Sequence, residues 1–158
     1  MPIMKLVEIV RGGATSQSTF DALCEYGSAV GKTVVRCIDT PGFVVNRLLV
    51  PYMAEAVRLL ERGDASVADI DVAMRLGAAH PMGPLTLLDY VGLDTSLFIL
   101  QGWTRDYPGT PQFDVPPLLK AMVESGAHGN KNGKGFYVDG KPNPQFFDAQ
   151  GYILKSKL

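Results

Sequence analysis

Apolar and polar residues alternate near the start of the chain and then change period, which predicts a small strand–helix–strand unit. Residues 5–10, KLVEIV, alternate and are rich in β-branched side chains, as expected for a strand. A helix capped by Thr15 or Ser16 follows to about residue 30. Residues 33–38, TVVRCI, form the second predicted strand. Two strands make too small a sheet to be stable alone, so the unit resembles the edge of a larger sheet.

From residue 42 onward the apolar positions recur at helical spacing, so the remainder is predicted to be mainly α-helical. The predicted helices are residues 42–62, a short helix capped by Ser66, residues 85–107 and residues 116–123. Pro51 lacks a backbone donor and should kink the first of these helices. Gly92 is the expected break if residues 85–107 form two abutting helices. The apolar face expected for the short helix comprises Ile70, Ala73, Met74 and Leu76.

The end of the chain is predicted to be less regular than the helical part. Residues 126–135 form a glycine-rich loop, and the following GFYV is long enough for a short extended segment. Residues 139–158 are rich in turn-forming residues and are expected to form a loose extension. The chain ends in Ser156, Lys157 and Leu158, the sequence that a peroxisomal import receptor reads at a C-terminus.

Composition restricts the possible partners. The chain has 158 residues, which fits one domain or one small domain with an appendage. A net charge of −1 provides no basic field for nucleic acid and no polybasic run for a membrane surface. No apolar stretch approaches the roughly 18 residues that would cross a bilayer. We therefore expect neither nucleic acid nor membrane as a partner, and we expect Cys24 and Cys37 to be reduced thiols.

Common motifs for cofactors and metals are absent from the 158 residues. No Gly-x-Gly-x-x-Gly lies between a strand and a helix, so no dinucleotide fingerprint is present. The HGNKNGKGF stretch has the wrong glycine spacing for a phosphate loop. His80 and His128 are the only histidines, and neither belongs to a metal-binding pattern. No cofactor-binding or metal-binding residues are therefore predicted in this chain.

Two polar side chains stand out in apolar surroundings, and each has two possible explanations. Glu8 lies between Val7 and Ile9 in the first strand, so it is either a surface group or an inward functional carboxylate. Asn46 lies near the start of an otherwise hydrophobic helix. Near free N–H groups and the positive end of the helix dipole, an amide can orient an anionic or carbonyl oxygen. Alternatively, Asn46 faces solvent or bonds to the preceding turn.

Four segments together resemble the C-terminal half of the 3-hydroxyacyl-CoA dehydrogenases, in that family's order and spacing. They are MKLVEIV, DTPGFVVNRLLVPYMAEAVRLLERGDAS, DIDVAMRLGAAHPMGPLTLLDYVGLD and GNKNGKGFY. The resemblance implies a mainly α fold: a strand–helix–strand remnant of a Rossmann-like sheet, then a helical bundle-like domain. The implied division is residues 1–39 for the dinucleotide-binding remnant, 40–138 for the helical substrate and dimerisation domain, and 139–158 for an extension with a targeting tail.

The resemblance also implies a reaction and site residues. The family oxidises 3-hydroxyacyl-CoA to 3-ketoacyl-CoA with NAD in fatty-acid β-oxidation, using a His as general base. Glu8 matches the Glu that orients this His, and Asn46 matches an Asn that contacts the substrate. The matching His would fall before residue 1, together with the NAD site. The 158 residues alone are therefore expected to be inactive and to act with a dinucleotide-binding domain that they do not contain.

The sequence leaves more than one interpretation of the chain open. The chain could be a free-standing, non-catalytic helical module that dimerises or binds acyl-CoA. The family resemblance implies a homodimer formed through the helical domain, with acyl-CoA as the substrate. The terminal Ser-Lys-Leu predicts a peroxisomal location, with the mitochondrial matrix or the cytoplasm as alternatives.

Overall fold

Two parallel strands and one helix form the first part of the fold. The computed structural model of the protein describes residues 4–154. Strand β1 is Leu6–Arg11, helix α1 is Gln17–Ala29 and strand β2 is Thr33–Ile38. The strands pair in parallel, with Glu8 opposite Val35. The predicted strand–helix–strand unit is thus confirmed: β2 has the predicted boundaries, and those of β1 and α1 differ from the prediction by one or two residues.

Helix α1 packs against one face of this strand pair. A Cβ atom added at Gly27 would lie 2.8 Å from a methyl carbon of Val34 and 3.4 Å from one of Val7. The first of these distances is shorter than a real Cβ contact, so Gly27 permits the close approach of helix and sheet. Ser16 accepts a hydrogen bond from the N–H of Thr19, which makes it the N-cap of α1.

The rest of the described chain is mainly helical. The helices are α2 (Val45–Glu61), α3 (Val67–Gly77), α4 (Pro84–Val91), α5 (Leu93–Asp106) and α6 (Pro117–Glu124). One turn of 3₁₀ helix covers Pro111–Phe113, and short strands β3 (Tyr137–Val138) and β4 (Lys141–Pro142) pair in antiparallel fashion. The predicted fold class, a Rossmann-like remnant followed by a helical domain, is confirmed.

Backbone conformation sets several helix boundaries. Gly92 has a φ of 103°, which ends α4 and allows α5 to start at the next residue, as the sequence predicted. Helix α2 begins at Val45 instead of the predicted residue 42. Gly42 and Phe43 both have positive φ values, 76° and 53°, so neither can belong to a right-handed helix.

The predicted apolar face of α3 is wrong in two of its positions. Ile70 is buried, but Ala73 is exposed and Leu76 is 76% exposed. The buried side of α3 instead carries Val67, Ile70 and Asp71. Periodicity assigned the apolar residues to the core and missed a carboxylate that takes one of the buried positions.

The expectation of a loose extension is wrong for the residues that the structure describes after 139. Phe146 and Phe147 are each 2% exposed, and the ring of Phe147 stacks 6.0 Å from that of Phe136. The side-chain amide of Asn143 donates to the carbonyl of Gly135 at 2.8 Å. Aromatic burial therefore orders this segment despite its many turn residues. The predicted targeting residues Ser156, Lys157 and Leu158 lie outside the described residues.

Contacts divide the chain into two units, with the boundary between Leu49 and Val50. The predicted domain boundaries at residues 39/40 and 138/139 stay predictions. Within residues 4–154, no helix is both long enough and apolar enough to cross a membrane.

Candidate functional site

Glu8 accepts two hydrogen bonds from the start of a helix. Strand β1 holds Glu8 half-buried, and its Oε1 accepts from the backbone N–H groups of Val44 and Val45 at 2.8 and 3.1 Å. The first N–H groups of a helix have no partner within the helix, and the helix dipole favours a negative charge there. Glu8 therefore caps α2 from a position 36 residues earlier in the chain. The sequence pattern does not predict this structural role.

The second oxygen of Glu8 is left available. Within the part of the chain that the structure describes, both of the carboxylate's hydrogen bonds reach Oε1 and none reaches Oε2. An ionised carboxylate accepts through both oxygens. Oε2 can therefore accept a further hydrogen bond, for example from an imidazole N–H, without breaking the cap.

Asn46 lies at the same helix end as the carboxylate of Glu8. It is the second residue of α2 and is exposed, and it directly follows Val45, whose N–H binds Glu8. Its side-chain amide makes no hydrogen bond to any residue between 4 and 154. The fold thus brings the two predicted site residues to one helix N-terminus, although they lie far apart in the sequence. Their catalytic and binding roles remain predictions.

The two cysteines are not bonded to each other. Cys24 is buried, and Cys37 on β2 donates weakly from Sγ to the carbonyl of Ile9 at 3.7 Å. Desolvation, and after it the charge of Glu8, raises the pKa of the Cys37 thiol. Both effects favour the neutral thiol, which is the less nucleophilic form.

The second unit, which begins at Val50 and is called the helical unit below, contains a buried carboxylate that the sequence pattern did not predict, Asp71 on α3. Its Oδ1 accepts from the N–H of Leu85 at 2.8 Å, and its Oδ2 accepts from the N–H and hydroxyl of Thr86 at 3.0 and 2.6 Å. The hydroxyl of Tyr137 donates to the same Oδ2 at 3.0 Å. Asp71 therefore fastens the start of α4 and strand β3 to α3.

A second missed carboxylate, Asp89, anchors the glycine-rich loop. Its two oxygens accept from the N–H groups of Phe136 and Tyr137 at 2.8 and 2.9 Å. A Cβ atom at Gly129 or Gly135 would collide with Asp89, so the loop glycines permit this approach. The available sequence signal was the charge itself, because Asp89 interrupts the apolar run LTLLDYV. The glycine-rich loop thus packs closely around a buried carboxylate and has a structural role.

The buried position of Asp89 predicts a pH-dependent stability. Burial raises the pKa of Asp89 from 3.8 to about 6, the two backbone N–H donors oppose this rise, and the charge of Asp71 adds to it. Because folding raises the pKa of Asp89, its contribution to the free energy of unfolding is complete below pH 3.8. This contribution is lost as pH rises through about 6. The expected loss is about 3 kcal/mol.

Urea unfolding of the wild-type chain and Asp89→Asn between about pH 4 and 7 measures this effect. The amide of the variant cannot titrate, so the wild type should lose stability relative to the variant as pH rises. The variant should also differ from the wild type by a constant amount in its free energy of unfolding, because its amide nitrogen would face the N–H of Tyr137. A difference between the two proteins that does not change with pH would contradict the prediction.

The cited contacts of the two histidines involve the ring of His80 and the backbone of His128. The ring of His80 meets that of Tyr52 edge-on at a centroid distance of 5.3 Å, and the backbone N–H of His128 donates to Asn132. Among residues 4–154, no group of three or more His, Cys, Asp or Glu side chains is placed to hold a metal ion.

Comparison with models of known protein families identifies the family to which the chain belongs. The model described as 3-hydroxyacyl-CoA dehydrogenase, C-terminal domain, matches residues 42–139. The chain belongs to the 3-hydroxyacyl-CoA dehydrogenase family. The model of that family's NAD binding domain matches residues 1–40. The family resemblance read from the sequence motifs is therefore confirmed.

Curated and solved relatives agree with this assignment. A probable 3-hydroxyacyl-CoA dehydrogenase from Caenorhabditis elegans is 61% identical over 137 residues, which cover 87% of this chain and 44% of the relative. The human mitochondrial hydroxyacyl-coenzyme A dehydrogenase is 55% identical with the same coverage. The crystal structure of Mycobacterium tuberculosis FadB2 has a TM-score of 0.81 and 48% identity, covering 87% of this chain and 48% of that one. This dehydrogenase-family chain thus spans less than half the length of these relatives.

Proposed function

We propose that these residues form the substrate-binding part of an NAD-dependent 3-hydroxyacyl-CoA dehydrogenase. The observation that carries the proposal is the position of Glu8 and Asn46 at one helix N-terminus, with Oε2 of Glu8 available. The whole enzyme oxidises the 3-hydroxyl of an acyl-CoA to a ketone. A His takes the hydroxyl proton while hydride passes from C3 to NAD, so the substrate loses two hydrogens and NADH forms.

Each of the two residues has a distinct role in this proposal. Oε2 of Glu8 accepts the second N–H of the catalytic imidazole, which fixes its tautomer and stabilises the imidazolium that forms. The amide of Asn46 donates to the substrate near its thioester or its 3-oxygen. The positive helix end beside Asn46 favours the negative charge that develops on a carbonyl oxygen there.

The remaining machinery belongs to a dinucleotide-binding segment that supplies the NAD site and the catalytic His. Exposed apolar side chains beside β1 support docking of further strands there. Leu23, Tyr26 and Val30 of α1 are 45%, 67% and 49% exposed, and they border an apolar groove that Leu6 and Ile9 also line. Such a groove at a sheet edge fits the next elements of a Rossmann-like sheet.

A chimaera tests the proposed function. The segment that precedes the matched region in the Caenorhabditis elegans relative is fused to this chain, and NADH oxidation with acetoacetyl-CoA is followed. We expect turnover from the chimaera and none above background from the 158 residues alone, because they lack a dinucleotide fingerprint and the general base. Turnover by the chain alone would contradict the assignment of these parts to another segment. A folded chimaera without turnover would contradict the dehydrogenase proposal.

The molar mass of the same chimaera in solution tests whether the protein forms a homodimer. Helices α3, α4 and α5 expose large apolar side chains, and large exposed apolar areas are typical of interaction surfaces. These side chains are Val72, Leu76, Tyr90 and Phe98, exposed by 43%, 76%, 68% and 77%. We propose that the helical unit forms a symmetric dimer, and light scattering should give twice the chain mass.

We further propose that the enzyme serves fatty-acid β-oxidation in peroxisomes, addressed by Ser156, Lys157 and Leu158. Deleting these three residues from a tagged protein should leave it in the cytosol, because the import receptor reads a free terminal tripeptide. A reporter fused to residues 149–158 is the matched control and should enter peroxisomes. Mitochondrial location of both tagged proteins would instead support the alternative compartment.

A further inference from the structure

The turn that precedes α2 has an unusual backbone conformation. Gly42 and Phe43 are consecutive left-handed residues, with φ values of 76° and 53°, and the N–H of Phe43 donates to the carbonyl of Thr40 at 3.0 Å. Glycine adopts this conformation freely, but a bulky residue such as phenylalanine does so rarely and under strain. Strained backbone of this kind persists only where surrounding structure holds it, and it is frequent at functional sites.

This turn determines where the first helix donors point. At the start of α2, the N–H of Arg47 donates to the carbonyl of Gly42, and that of Leu48 donates to the carbonyl of Val44. The N–H groups of Val44 and Val45 precede them and donate to Oε1 of Glu8. If Phe43 were right-handed, the chain would enter α2 in another direction and these donors would no longer converge on one oxygen.

We propose that Phe43 is a positioning residue for Glu8, through its backbone and not through its ring. Its left-handed conformation aims two N–H groups at Oε1, which holds the carboxylate in one rotamer and assigns Oε2 to the catalytic imidazole. The ring is 39% exposed, so core packing does not account for the conformation. The assignment of Oε2 rests on the proposed dehydrogenase function, whereas the positioning of Oε1 does not.

The same turn also positions Asn46. Asn46 follows Val45 directly, so the hydrogen bond from Val45 to Glu8 fixes the helix start against β1. The general-base partner and the substrate-binding amide are therefore set relative to each other by one backbone feature. A shift at Phe43 would displace both at once.

Amide NMR of the 158-residue chain tests the positioning without any assay. Charge-assisted hydrogen bonds respond to ionisation of the acceptor, so the amide protons of Val44 and Val45 should shift with one common inflection as Glu8 titrates. Both responses should vanish in Glu8→Gln and persist in Glu25→Gln, which alters an exposed carboxylate on α1. If the two wild-type amides do not share this response, the inference is overturned.

Substitutions at Phe43 distinguish the effect of its backbone conformation from the effect of its side chain. Phe43→Asn and Phe43→Gly tolerate a left-handed backbone and should keep the shared response, whereas the β-branched Phe43→Val should lose it. In the chimaera, Phe43→Val should lower kcat by about 10²-fold, as for a catalytic group misplaced by about 1 Å. The KM for acetoacetyl-CoA should rise as well, because the same shift displaces Asn46. A response retained in folded Phe43→Val overturns the inference.

Two outcomes distinguish this inference from the proposed function. If Phe43→Val does not fold, Gly42→Ala disturbs the same turn, and the wild-type titration remains decisive. If the NMR response follows Phe43 as expected while kcat is unchanged by Glu8→Gln, the turn positions Glu8 but the dehydrogenase role of Oε2 is wrong. If the NMR response is absent while Glu8→Gln abolishes turnover, the function stands and the positioning by Phe43 is overturned.

Discussion

Replacing Glu8 by glutamine should lower kcat of the chimaeric dehydrogenase by roughly 10²-fold or more, the range expected when general-base catalysis is lost. The amide oxygen of the introduced side chain can still accept from the N–H groups of Val44 and Val45, so the helix cap survives. Its amide nitrogen cannot accept a hydrogen bond from imidazole, and the neutral side chain cannot stabilise an imidazolium. The loss should therefore appear in the chemical step.

Steady-state kinetics with acetoacetyl-CoA and NADH, together with NADH titration, measure this effect. Nucleotide affinity should be almost unchanged, because the proposed partner of Glu8 is the catalytic His and not NAD. Glu25→Gln serves as the matched control on the same unit, since Glu25 is an exposed carboxylate of α1. A wild-type kcat for Glu8→Gln would show that Glu8 is a helix cap alone.

Replacing Asp71 by alanine should reduce the free energy of unfolding of the helical unit by about 3 kcal/mol or more, because buried donors lose their charged acceptor. Asp71 is 5% exposed. Its carboxylate receives the N–H groups of Leu85 and Thr86, and the hydroxyls of Thr86 and Tyr137. Alanine leaves all these donors without their charged partner.

Urea unfolding followed by fluorescence of Trp103, the single tryptophan, reports on this change. Trp103 lies in α5, and its ring is 4.9 Å from that of Phe113. The matched control is Asp106→Ala, which removes an exposed pair with Arg105 and should have little effect on stability. If the Asp71→Ala variant is as stable as the control, the hydrogen bonds of Asp71 do not hold α4 and β3 against α3.

The local features were predictable from the sequence because their causes lie within a few residues. Ser16 and Ser66 accept from N–H groups three residues later, and Gly92 breaks the helical run through its own backbone conformation. Periodicity likewise identified the helices and the strand–helix–strand unit. Motifs such as TPGFVVNR identified the family and singled out Glu8 and Asn46, whose roles stay predictions.

The hydrogen-bond partners of Asp71, Asp89 and Glu8 were decided by tertiary structure alone. Asp71 finds its donors 14 and more positions away, Asp89 finds its donors 47 and 48 positions away, and Glu8 caps a helix 36 positions later. No local pattern encodes such pairs, because they form only when packed elements bring donors to a carboxylate. For the same reason the extension after residue 139 was misjudged, since its order comes from Phe146 and Phe147. The sequence by itself determined the elements and the family, and the fold decided which polar groups meet.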